Sequence, residues 1–89
     1  MAVIHKKSWP EQFEAIFSRR KKFDLRLADF EAKEGDTIVF EEWDPKKKEY
    51  TGRKIEKKIT FVFKFKPDES PYHSKEEIQK YGFQIFSLE

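Results

Sequence analysis

Lys21, Asp24 and Arg26 have the types and spacing of a small charged site. A guanidinium is a rigid fork of N–H donors that fits a phosphate or a base edge. A carboxylate two residues before it can orient that fork or accept from a base amine. An amine beside them adds positive charge. If that amine loses its water while Arg26 lies close, its pKa falls and it can act as nucleophile or base. The chemistry on offer is recognition of an anion or nucleotide, with Lys21 and Asp24 as the catalytic pair if there is turnover. The competing reading is a solvated Asp24–Arg26 pair, which contributes under about 1 kcal/mol.

The run Arg19-Arg20-Lys21-Lys22 comes just before. Such a run can contact backbone phosphates, and binding of that kind falls steeply with salt. Cations at a helix C-terminus also complement the helix dipole by roughly 0.3–1 kcal/mol each, which accounts for part of the run without any ligand. Tyr50 and Arg53 flank Thr51-Gly52 and form a second group, suited to base stacking and phosphate contact. The alternative for that segment is a barrel corner bent at Gly52.

These residues need elements to position them. Side chains alternate across a strand, so over residues 22–28 Phe23, Leu25 and Leu27 are expected to face the core. Lys22, Asp24 and Arg26 then face a surface or pocket. A helix over 9–19 precedes this strand. Ser8 is read as its N-cap, Glu11 as the partner in a capping box, and Pro10 as a first-turn residue. Phe13, Ile16 and Phe17 form its buried stripe. Strands are expected over 3–7 and 37–43, the latter after a Gly35-Asp36 turn. Residues 44–49 read as a long hairpin connection. The run 53–66 is too long for an ordinary strand and is expected to bend, with Phe61, Phe63 and Phe65 in the core. After a loop over 67–71, Ser74 and Glu77 form a capping box and Gly82 a helix C-cap. A last strand covers 83–88. The order is β-α-β-β-β-α-β, an α+β chain. Its expected form is a small, mainly antiparallel β-barrel with one or two short helices.

Eighty-nine residues make one domain, residues 1–89. Forty per cent of them are charged, yet the net charge is only +2, so any case for nucleic acid rests on where the cations lie. There is no Cys, which excludes disulfides, thiolate chemistry and Cys-based metal sites. His5 and His73 are too far apart in sequence to form a metal motif, and no cofactor is implied. His5 reads as a hydrogen-bonded strand residue. Trp9 and Trp43 read as packing at element ends rather than as base-stacking platforms. No apolar run reaches the ~18 residues of a spanning helix, and there is no signal-peptide core. The expectation is a soluble cytoplasmic monomer with no membrane partner and no metal.

The chain resembles the ASCH domain, a PUA-like β-barrel superfamily, and most closely a small prokaryotic branch of unknown function. The ASCH signature is Gly-x-Lys-x-x-Glu-x-Arg after a short helix. Lys21, Asp24 and Arg26 stand at its Lys, Glu and Arg, with Arg19 at its Gly. The Gly35-Asp36 turn, Glu42-Trp43-Asp44-Pro45 and Tyr50-Thr51-Gly52-Arg53 follow in the order the branch shows. The resemblance implies a PUA-like barrel that binds RNA or a nucleotide-like ligand, and some members look like nucleoside amidohydrolases or ribonucleases. Asp24 for Glu and Arg19 for Gly weigh toward binding rather than catalysis. A hydrolase would need a carboxylate near Lys21, from Glu42 or from the acidic loop of Asp68, Glu69, Glu76 and Glu77 around His73. Three functions follow as expectations. The leading one is an RNA- or nucleotide-binding module. The others are a small hydrolase of a modified nucleoside amide or RNA, and a protein-interaction module.

Overall fold

Among the described residues, five strands and two helices follow in the order β1 (Val3–Ser8), α1 (Pro10–Phe17), β2 (Phe23–Leu27), β3 (Thr37–Asp44), β4 (Glu49–Phe65), α2 (Lys75–Tyr81) and β5 (Phe83–Leu88). The structure is a computed structural model that describes every residue except Glu69, Pro71 and Tyr72. The readings of Glu69 as an acidic neighbour of His73 and of Pro71 as a loop residue fall outside the described residues.

The strands form one open mixed sheet in the order β1-β3-β4-β5-β2. β1 runs parallel to β3, and every other pairing is antiparallel. The expected barrel is therefore wrong. β4 is long, at 17 residues, and its ladders shift register opposite Glu41/Trp43 and again between Ile59 and Phe61. Such irregularities bend a strand and increase its twist. They curl the sheet without closing it, because among the described residues no backbone ladder joins β1 to β2. Arg26 spans that gap with its side chain, Nη2 donating to the Lys7 carbonyl oxygen at 2.9 Å.

Local signals explain several element ends. Ser74 caps α2 as expected, accepting from the Glu77 N–H at 3.1 Å while Glu77 Oε1 accepts from the Ser74 N–H at 3.2 Å. The corresponding box at α1 does not form. Ser8 belongs to β1, in register with Glu42, so Trp9 is the N-cap and no side chain caps the helix. Asp44 holds the β3–β4 turn by accepting from the N–H groups of Lys46 and Lys47 at 2.9 and 3.2 Å.

The core lies between α1 and the concave face of the sheet. Phe13 and Ile16 of α1 meet Ile38, Phe40, Ile59, Phe86 and Leu88, all buried. Facing is where expectation and structure part. Asp24 is only 5% exposed, whereas Phe23 and Leu25 are 47% and 50% exposed. The polar row of β2 thus points inward and the apolar row outward. Phe61 and Phe63, expected in the core, are 52% and 54% exposed, and Phe65 is also open to solvent. Register explains the agreement between these errors. Phe23 and Phe61 both align with Ser87, and Leu25 and Phe63 both align with Ile85. Directly paired residues share a face, so Phe23, Leu25, Phe61 and Phe63 lie together on the convex side, while Ile59, Phe86 and Leu88 lie on the core side.

Candidate functional site

Turning β2 over puts Asp24 and Arg26 inside the curl, beside the gap between β1 and β2. Lys21 reaches the same place from the segment after α1. Its backbone N–H donates to the Ala15 carbonyl at 2.9 Å, which folds residues 18–21 back over the helix end. The three sequence-predicted residues therefore meet. Asp24 divides its carboxylate between two cations. Oδ2 accepts from Arg26 Nε at 2.6 Å, and Oδ1 lies 3.9 Å from Lys21 Nζ. Lys21 Nζ also donates to Gln12 Oε1 at 2.5 Å. The Arg26 guanidinium lies 5.8 Å from the centroid of the buried Phe40 ring. Among the described residues its Nη1 has no partner, so donors remain for a ligand.

These groups line a cleft of about 840 Å³. Its mouth is aromatic, with Trp9 62% exposed on one side and Phe23 on the β2 side. Lys7 and His73 also line it, and the His73 ring lies 5.3 Å from that of Phe83. Burial pushes the Lys21 amine below the usual lysine range. The Asp24 carboxylate opposes this and the Arg26 guanidinium adds to it. The arrangement combines a buried carboxylate, a forked donor, a desolvated amine and ring faces open for stacking.

The remaining predicted residues lie elsewhere. Arg19 and Arg20 are exposed, and Arg20 Nε donates to Ser18 Oγ at 3.0 Å. Arg19 has φ +66, the left-handed conformation glycine takes freely after a helix. Arg53 does not reach the cleft. Its Nη2 donates to Glu14 Oε2 at 3.1 Å, and its guanidinium lies 5.0 Å from the Phe13 and Phe17 centroids. Tyr50 meets Trp43 edge-on at 4.9 Å. Lys7, whose Nζ is 3.9 Å from the Trp43 centroid, stands between that pair and the cleft. Glu42 is buried and accepts from Thr51 Oγ1 at 2.7 Å, with Arg53 Nη1 3.9 Å away. It is not the carboxylate beside Lys21; Asp24 is. His5 faces Glu41, with Nδ1 3.8 Å from Oε1.

Gln12, which the sequence does not single out, and Trp9, expected only to pack, both line the cleft. Gln12 lies off the apolar stripe of α1, and the Trp9-Pro10 pair at the helix start offered the only hint. Among the described residues no group of three His, Asp or Glu is placed to hold a metal ion, and no helix is long and apolar enough to cross a membrane.

Residues 4–72 match the family described as a domain of unknown function, DUF3850. The fold is similar to the crystal structure of a hypothetical protein, PH0355, with a TM-score of 0.73 at 20% identity, covering 100% of this chain and 98% of that one. At such identity the likeness shows the fold alone. No curated protein matches the chain.

Proposed function

We propose that this chain, which belongs to the family of domains of unknown function DUF3850, binds an RNA- or nucleotide-like ligand in the cleft of Lys21, Asp24 and Arg26. The observation that carries this reading is the convergence of those three side chains beneath the exposed rings of Trp9 and Phe23. Sequence-specific RNA recognition uses unstacked bases, which stack on aromatic rings and hydrogen-bond along their edges. Asp24 supplies acceptors for an exocyclic amine. Arg26 and Lys21 supply donors for a carbonyl or phosphate oxygen. The ASCH-like order of the same three residues adds to this reading. Trp9→Ala is the decisive variant, because Trp9 is exposed and its loss leaves the core intact. Base stacking contributes about 1–3 kcal/mol per base, so affinity for short single-stranded RNA at low salt should fall about 5- to 100-fold with an unchanged melting temperature. Equal affinity of Trp9→Ala and wild type across an RNA panel would remove the proposal. Arg26→Ala is a poorer probe, since it also strips a buried carboxylate of its partner.

A second reading is favoured by one observation, the depressed pKa of Lys21 beside Asp24. A neutral amine can take a proton from water, the hydroxide attacks an amide carbon, and the proton passes to the departing amine. The substrate is then a modified nucleoside amide. Incubation with N-acylated cytidines tests it: turnover lost in Lys21→Gln supports hydrolysis, and no turnover leaves binding.

A further inference from the structure

A second recess of about 270 Å³ has Lys21 but not Asp24 in its lining. Arg19, Lys22 and Lys57 line it, and Lys21 belongs to both this recess and the main cleft. Its floor is apolar, made by Ile16 and Leu88, and Glu89 is its one acid among the described residues. Four cations thus share the recess with Glu89. Lys57 is half-buried although it lies on a strand with exposed positions on either side. Like charges gathered in a recess repel one another, and partial burial strengthens that repulsion. Arg19 is also held in a left-handed conformation where glycine would be unstrained. Strain of this kind at an observed outlier is a reason to look for function.

We infer that this recess is a phosphate subsite: it binds the phosphate of a nucleotide whose base lies in the main cleft, with Lys21 as the wall between. A liquid water occupies about 30 Å³, so the recess has room for a phosphate with part of its hydration shell. Lys57 and Arg19 come from distant parts of the chain, and the fold brings them to the same anion-sized space. The inference rests on the reading of the main cleft as a base site.

The test compares the four ribonucleosides with their 5′- and 3′-monophosphates, against wild type and the double variant Lys22→Gln/Lys57→Gln, by calorimetry at low salt. Inorganic phosphate is a third probe. At least one monophosphate should bind about ten-fold or more tightly than its nucleoside. In the double variant this excess should vanish while nucleoside affinity is unchanged. Equal binding of nucleosides and nucleotides overturns the subsite and leaves the cleft reading standing. An excess that survives in the double variant also overturns it. Nucleosides that do not bind, beside phosphate that binds only when Lys22 and Lys57 are present, remove the cleft reading and the nucleotide with it, leaving a simple anion site. No binding by any probe removes both.

Discussion

Asp24 is the pivot of the site at the scale of single residues. Buried carboxylates need partners, and Arg26 and Lys21 supply them at 2.6 and 3.9 Å. The cost of that arrangement falls on Lys21, whose ammonium loses water. Its folded pKa lies below the ordinary lysine value of 10.5. Between those two pH values the unfolded chain holds more protons than the folded one, so stability rises with pH through that window. Denaturant melts from neutral pH to pH 10.5 should show this rise, and Lys21→Gln should flatten it. A wild-type curve as flat as the variant's contradicts a desolvated Lys21. Asp36 has a dependence of the same sign in an acidic window. Its carboxyl is held low by the N–H groups of Ala2 and Lys33, so its contribution is present in the ordinary range and lost as pH falls through its lowered value. The grouping of Lys21, Asp24 and Arg26 was legible from types and spacing, whereas the fall in the Lys21 pKa was conditional on burial, which only the fold supplies. The partner Gln12 was not legible, because its role depends on how residues 18–21 fold back onto α1.

Two backbone positions govern the elements that carry the site. Arg19 at φ +66 carries strain that glycine would not. Arg19→Gly should therefore raise stability by up to about 1 kcal/mol, a melting-temperature gain of roughly 4–8 °C for a domain of this size. The same variant should weaken nucleotide binding if the recess holds phosphate, so stability and affinity move in opposite directions. Gly82 caps α2 just before β5 at φ +71 and ψ −171, and a Cβ there would lie 2.9 Å from the Phe65 carbonyl oxygen. Gly82→Ala should cost about 1–3 kcal/mol or more, since both the backbone region and the space exclude a side chain. A melting temperature within a degree of wild type would contradict this. Gly82 as a helix end and Ser74 as a cap could be read in the sequence because each signal is local. Ser8 misled because a tertiary ladder to β3 took a residue that local spacing assigned to a cap.

For the whole molecule, the instructive error is which face of the sheet is inside. Alternation separates two faces of a strand but does not say which one meets the core. Phe23, Leu25, Phe61 and Phe63 look like core by type, yet the sheet curls the other way around α1. The barrel failed for a related reason. Strand lengths suggest curvature, but closure depends on whether β1 and β2 pair, and Arg26 stands in that gap. The inversion has a direct consequence for stability. Phe86→Ala, in the closed core, should cost about 3–5 kcal/mol. Phe63→Ser, half in water already, should cost under about 1 kcal/mol, and equal losses would contradict the facing of the sheet. The same inversion creates the cleft, since only inward-pointing Asp24 and Arg26 can meet Lys21. The most direct measurement is an NMR titration of isotope-labelled protein with short single-stranded RNA at low salt. Saturable shifts at Trp9, Lys21, Phe23, Asp24 and Arg26, lost in Trp9→Ala, are the predicted result. No shifts, or shifts confined to the convex face of Phe61 and Phe63, would contradict it.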